Sequence, residues 1–154
     1  MNVHESEKLA AICEKMGYEC AESREEADLI VFNTCAIREG AEERVFGNVG
    51  ALKRLKKQRP GTIIAVCGCM TQKQTTAETM MRKFPFVDIV IGTFNLPNFQ
   101  YYVEAVKAGR RQLELLEEGD IDETIPYKRT SGENAWVNIM QGCNNFCTYC
   151  IVPY

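Results

Sequence analysis

The sequence predicts an α/β domain in which a parallel sheet is covered by helices on both faces. Three observations carry this. Short apolar runs at 29–32, 62–66 and 87–91 alternate with stretches whose apolar residues repeat at helical spacing. The runs are nearly continuous in apolar character, as strands buried on both faces are. The connections between them are long enough to hold helices, which implies right-handed βαβ crossovers. With 154 residues, 45% hydrophobic and 25% charged, the chain suits one domain with an ordinary core.

Each element has a local reason. Leu9, Ile12, Cys13 and Met16 form an apolar stripe that makes a first helix, ended by Gly17. Leu29 to Phe32, bounded by Asp28 and Asn33, is too short for a helix and reads as a buried strand. Val45, Phe46, Val49, Leu52 and Leu55 then repeat at helical spacing up to Pro60-Gly61. Lys56, Lys57 and Arg59 close that helix, where cations complement its dipole; this explains the basic cluster better than an RNA-binding patch does. Thr62 to Val66 is the second strand. A helix lined by Ala77, Met80, Met81 and Phe84 leads to a third strand, Val87 to Ile91. Asn95 is placed to cap a last helix with the stripe Phe99, Tyr102, Val103 and Val106, closing near Gly109. The methionine pair and the aromatics lie at core spacing, so packing accounts for them.

Composition excludes some classes of function. No apolar run approaches the ~18 residues of a membrane span, and Met1 to Glu5 has neither a basic nor an apolar leader character. A soluble, cytoplasmic protein with no membrane partner is expected. A net charge of −3 gives no global attraction to nucleic acid. His4, the single histidine, is expected on the surface near the start of the first helix.

Eight cysteines without an export signal point to metal ligands, reactive thiols or core residues, not to a disulfide framework. Cys13 lies on the first helix's apolar stripe and Cys20 just beyond it, so both read as core thiols. Cys35 and Cys69 follow the first and second strands, so the topology brings them to one edge of the sheet, where open α/β sheets place their ligands. Cys67 sits closer to the strand end and is expected to point into the sheet, with a ligand role as the alternative. Two thiols make an incomplete metal site, so a third partner is expected at that edge. The first helix begins almost at Met1 with no strand before it; the expectation is that the chain starts late and that a strand and a ligand precede it.

After Gly109 the character changes. Residues 113–123 are acidic, and 119–134 has the turn formers of a linker, which divides a domain at 1–118 from the beginning of another at 135–154. Ala135 to Met140 reads as that second domain's first strand. It runs into Gly142 and a loop that places Cys143, Cys147 and Cys150 at spacings x3 and x2. Structural zinc and simple electron carriers want four protein ligands. Three thiolates on a [4Fe–4S] cube leave one iron open for substrate or cofactor, so the missing fourth cysteine favours a working cluster, with a zinc loop whose other half lies elsewhere as the alternative.

That loop, with Tyr149 before its last cysteine, resembles the motif of the radical S-adenosylmethionine (SAM) superfamily. The stretches NTCAIREGAEERVFGNVGALKRLK (33–56), VCGCMTQ (66–72) and VNIMQGCNNFCTYCIVPY (137–154) are similar to those of its tRNA methylthiotransferases, which convert N6-isopentenyladenosine at tRNA position 37 to the 2-methylthio form. The resemblance spans essentially the whole chain. It implies a flavodoxin-like N-terminal domain with an auxiliary [4Fe–4S] cluster, of whose three ligands Cys35 and Cys69 are present here; the third belongs to a Gly-Cys-Gln-Met-Asn motif and is expected two positions before Met1. It favours Cys69 over Cys67. It also implies a second [4Fe–4S] cluster on Cys143, Cys147 and Cys150 that binds SAM through its open iron, with Tyr149 near the SAM adenine. One electron, from a donor such as flavodoxin or ferredoxin, cleaves that SAM to a 5′-deoxyadenosyl radical that activates C2 of the adenine, and a second SAM methylates the sulfur. The tRNA would be held largely by regions beyond this chain, so the isolated chain is expected to be inactive. Sister methylthiotransferases acting on threonylcarbamoyl-adenosine or on a ribosomal-protein aspartate, and a non-enzymatic iron–sulfur or zinc module, are the alternatives.

Overall fold

A computed structural model describes residues 3–35, 40–119 and 143–150. Among these residues four parallel strands, β1 (Leu29–Thr34), β2 (Ile63–Gly68), β3 (Ile89–Ile91) and β4 (Gln112–Glu114), lie in the order β1-β2-β3-β4. Around them stand α1 (Val3–Lys15), α2 (Ala41–Ala51), α3 (Lys53–Gln58), α4 (Gln74–Lys83) and α5 (Phe99–Lys107), with a 3-10 turn at Thr93–Asn98. This is the expected α/β, flavodoxin-like arrangement. The linker and the strand read at 135–140 lie outside the described residues.

Alternation along the strands sorts the core into two layers, because successive side chains point to opposite faces. Ile63, Ala65, Cys67, Ile89 and Ile91 face α1 and α5, where Leu9, Phe99, Tyr102 and Val103 meet them. Ile64, Val66 and Val90 face α2 and α4, against Val49, Leu52, Ala77 and Met80. β2 and β3 are wholly buried, and β1, with one described neighbour, is half-buried. At about 1.5–3 kcal/mol per buried aliphatic or aromatic side chain, these layers are the main force holding the sheet.

The structure departs from expectation in several places. The helix read through 45–55 is two helices meeting at buried Leu52, which anchors the junction in the core. β4 escaped the sequence reading because an exposed three-residue edge strand, Gln-Leu-Glu, carries no apolar run. α4 and α5 cover opposite faces although both crossovers step the same way along the sheet. The two crossovers therefore have opposite hands, and uniform right-handedness does not hold; placing α5 on α1's face is what covers that layer. Asn95 does not cap α5. It is buried in the 3-10 turn, and Asn98 precedes the helix instead. His4 is 3% exposed and not at the surface, and Glu7 and Lys8 on the same helix are buried as well. Cys20 is exposed: α1 ends at Lys15, and of the residues that follow it Met16 and Tyr18, not Cys20, pack against the core.

Lys56 and Arg59 do have structural partners, by contacts more specific than a helix dipole. Lys56 Nζ donates to Asp88 Oδ2 at 2.7 Å and to the Thr62 carbonyl at 2.6 Å, while Asp88 Oδ2 also accepts from Ile64 N at 2.8 Å. Arg59 pairs with Asp28 at 2.7 Å and donates to the carbonyls of Glu25 and Ala27. Both ties lie where the strands begin, opposite the cysteine edge.

Candidate metal centre

The carboxyl ends of β1 and β2 build the first part of the site. Thr34 stands opposite Gly68 in the parallel register, so Cys35 and Cys69 each leave the sheet one residue beyond a paired position. The sheet brings these two thiols to the same edge, as their places after strands require. Cys69 Sγ lies 3.5 Å from the Thr34 carbonyl, so its thiol packs on the very strand end that leads into Cys35. Cys35 is half-buried and Cys69 is exposed.

Gly68 makes this approach possible. Its φ is +106°, and a Cβ there would stand 2.5 Å from Thr34 O, 2.8 Å from Thr34 N and 2.9 Å from Asn33 Oδ1. Only glycine combines that backbone with so close a neighbour. The turn also separates two cysteines that strand alternation alone would put on one face. Cys67 is fully buried in the α1/α5 layer, with Sγ 3.5 Å from the Phe32 carbonyl. Burial, reinforced by Glu5 and Cys13, pushes its thiol up to about 12. A thiol held neutral inside a core is a poor ligand, since metals take the thiolate, and Cys67 is a packing residue. Cys13 behaves alike: burial, then Glu14, raises it to about 11.

Hydrogen bonds stitch a floor beneath the edge. The Thr34 hydroxyl donates to the Cys67 carbonyl at 2.6 Å. Buried Thr71 Oγ1 lies 2.6 Å from Ile91 O and 3.0 Å from Gly68 O, joining the ends of β2 and β3. Gln72 accepts from Thr93 N at 2.9 Å and donates to Leu116 O at 2.8 Å. Asn95 donates to the Tyr102 hydroxyl at 2.8 Å and accepts from Leu116 N at 3.0 Å. The loops after β2, β3 and β4 are thus tied together by buried Thr71 and Asn95 and half-buried Gln72, which sequence reasoning missed: isolated Thr, Gln and Asn residues give no periodic signal. Asn33 Nδ2 donates to Ser6 Oγ at 2.9 Å and brings the first turn of α1 to the same edge.

The second cysteine group lies on one short loop. Cys143 and Cys150 are half-buried and Cys147 is exposed. The Cys150 amide donates to the Cys147 carbonyl at 3.1 Å, and the Asn145 amide approaches Cys143 Sγ at 3.5 Å. Tyr149 is 92% exposed, so among the described residues it is not an aromatic packed under the loop. Among the described residues no three His, Cys, Asp or Glu side chains converge as a finished metal site. By donor chemistry, the soft thiols of Cys143, Cys147 and Cys150 along 143–150, and of Cys35 and Cys69 at the sheet edge, are of the ligand type that zinc and iron–sulfur clusters take. No described helix is long and apolar enough to cross a membrane.

Comparison with known proteins shows what the chain as a whole is similar to. The chain is 52% identical, over all of its length, to the tRNA-2-methylthio-N(6)-dimethylallyladenosine synthase of Caldicellulosiruptor saccharolyticus. Proteins of the same name from Clostridium botulinum and Clostridium tetani are 53% and 51% identical, again over the whole chain. The chain spans about a third of the length of these curated relatives, at 33%, 35% and 34%. A family model described as "Uncharacterized protein family UPF0004" matches residues 1–92, which hold α1, β1 to β3 and both edge cysteines. The chain belongs to the UPF0004 family.

Proposed function

We propose that this chain is the N-terminal, cluster-holding portion of a tRNA methylthiotransferase that adds a methylthio group at C2 of N6-isopentenyl (dimethylallyl) adenosine. The observation that carries the reading is identity of about half over the entire chain to synthases named for that product. Residues 1–118 form the sheet domain, 119–134 the linker and 135–154 the start of the SAM-binding domain.

The residues divide the work. Cys35 and Cys69 are thiolate ligands of an auxiliary [4Fe–4S] cluster at the sheet edge, whose third thiolate comes from elsewhere. Thr34, Thr71, Gln72 and Asn95 hold the edge so that the two thiols keep their spacing when loaded. Cys143, Cys147 and Cys150 hold the second [4Fe–4S] cluster, and Tyr149, exposed beside Cys150, is free to stack on the SAM adenine. When bound, the clusters and SAM supply the redox and sulfur chemistry; the chain's residues bind and orient them. The electron donor is a small carrier such as flavodoxin or ferredoxin, and the setting is cytoplasmic. The regions that complete the SAM site and hold most of the tRNA are not in these residues, so the isolated chain has no turnover.

The test is anaerobic reconstitution of the chain with iron and sulfide, followed by Mössbauer spectroscopy with and without SAM. About four irons per chain with one iron's signal shifted by SAM is expected from the 143–150 loop. Zinc retained in preference to iron would overturn the reading in favour of a non-enzymatic metal module. Appearance of 2-methylthio product from the purified chain with SAM, reductant and tRNA would refute its predicted inactivity.

A further inference from the structure

Charge is distributed very unevenly over this chain. Residues 44–87 carry nine Lys or Arg against a single acidic residue, Glu78, a net +8, which leaves −11 for the remainder of a protein whose total is −3. The fold converts that segment into a surface. α2, α3 and α4 all lie on one face of the sheet, and contacts of Phe84 with Phe46 and Gly50 set the end of α4 against α2. Lys56 and Arg59 are consumed by Asp88 and Asp28. Lys53, Arg54 and Lys57 on α3, with Arg82 and Lys83 at the end of α4, are exposed, and no carboxylate pairs with any of them among the described residues. Arg111 joins them, because its guanidinium caps the α4 end through the carbonyls of Met81, Phe84 and Val87.

We infer that this α3/α4 face binds the phosphate backbone of an RNA, as a contact separate from the cysteine edge. Six exposed cations with no paired carboxylate among the described residues repel one another, and a polyanion relieves that repulsion while releasing its own counterions. The patch surrounds the ends of α3 and α4, where β2 and β3 begin, so it sits across a strand length of about 20 Å from Cys35 and Cys69. A rigid stem is long enough to reach both. None of the large exposed apolar residues lies on α2, α3 or α4, so the face lacks the wedge that a membrane-inserting surface presents. The choice of RNA over another polyanion rests on the tRNA reading above.

Binding is tested apart from chemistry. The full chain is titrated with an unmodified tRNA transcript by fluorescence anisotropy between about 50 and 200 mM salt. The triple variant Lys53→Gln, Arg54→Gln, Lys57→Gln is expected to weaken binding and to make the log–log salt slope shallower by about 2–3, near 0.7–0.9 per cation removed. The variant Lys15→Gln, Lys107→Gln, on the α1/α5 face, is expected to leave the slope close to the parent's. An unchanged slope in the triple variant, an equal loss in the control, or equal displacement of tRNA by poly-glutamate would each overturn the inference. Salt-sensitive tRNA binding by a chain that retains zinc in preference to iron would sink the enzymatic reading and leave the RNA face standing.

Discussion

Replacing Gly68 with alanine should open the sheet where the cysteines leave it. Two costs add. An L-residue held at φ +106° bears about 1–2 kcal/mol of backbone strain. The new methyl also meets the backbone of Thr34 at 2.5 and 2.8 Å, and backbone in a six-residue parallel register cannot swing away as a flexible side chain would. Overpacking of this kind costs about 1–3 kcal/mol, for a total of about 2–5 kcal/mol. In a domain worth about 5–15 kcal/mol that is a large fraction. Urea unfolding followed by far-UV circular dichroism would read it as a midpoint lowered by roughly 1–3 M, given slopes of about 1–3 kcal/mol/M. Gly109→Ala is the matched control: its φ is +83°, yet nothing lies within 4 Å of the new Cβ, so it bears the strain alone. If Gly68→Ala is no more destabilised than Gly109→Ala, the close approach of β1 to that position does not matter and the account of the cysteine edge fails.

Other perturbations separate the roles assigned to the remaining residues. With iodoacetamide at pH 8 and mass-spectrometric readout, exposed Cys20, Cys69 and Cys147 are expected to alkylate quickly and Cys67 only at the rate of unfolding; fast labelling of Cys67 in the folded chain would contradict its core position. Because the folded Cys67 pKa is raised from 9.0 to about 12, its contribution to stability is complete below pH 9 and is lost as pH rises toward 12, at up to about 1.4 kcal/mol per pH unit. Cys67→Ala should therefore show a flatter decline in urea stability between pH 9 and 10.5 than the parent, and an identical slope would refute the burial argument. Asn95→Ala leaves the Leu116 amide and the buried Tyr102 hydroxyl without their partner, so a loss of about 2–4 kcal/mol is expected by thermal or urea unfolding. Asp88→Ala strands the Lys56 ammonium and the Ile64 amide; about 2–4 kcal/mol is expected, with the double variant Lys56→Met, Asp88→Ala recovering part of it.

The sequence by itself determined the class of fold, the three long-run strands and the placing of Cys35 and Cys69 at one edge. Apolar periodicity is a local property, and a loop that follows a parallel strand has one edge to go to. It also separated Cys143, Cys147 and Cys150 from the rest, because their spacing is itself the signal. Tertiary structure decided what depends on neighbours distant in the chain. Cys67 and Cys69 share a parity that alternation would place on one face; the positive φ of Gly68, required by Thr34 across the register, turns one outward and leaves the other in the core. The role of Asn95 as a tie to Leu116 and the existence of β4 come from the same source, since one is set by a partner 21 residues away and the other by pairing with a neighbouring strand. The basic face belongs with them: its cations are scattered from Lys53 to Arg111 in the chain, and only the packing of α4 against α2, with β4 beside α4, gathers them into one surface.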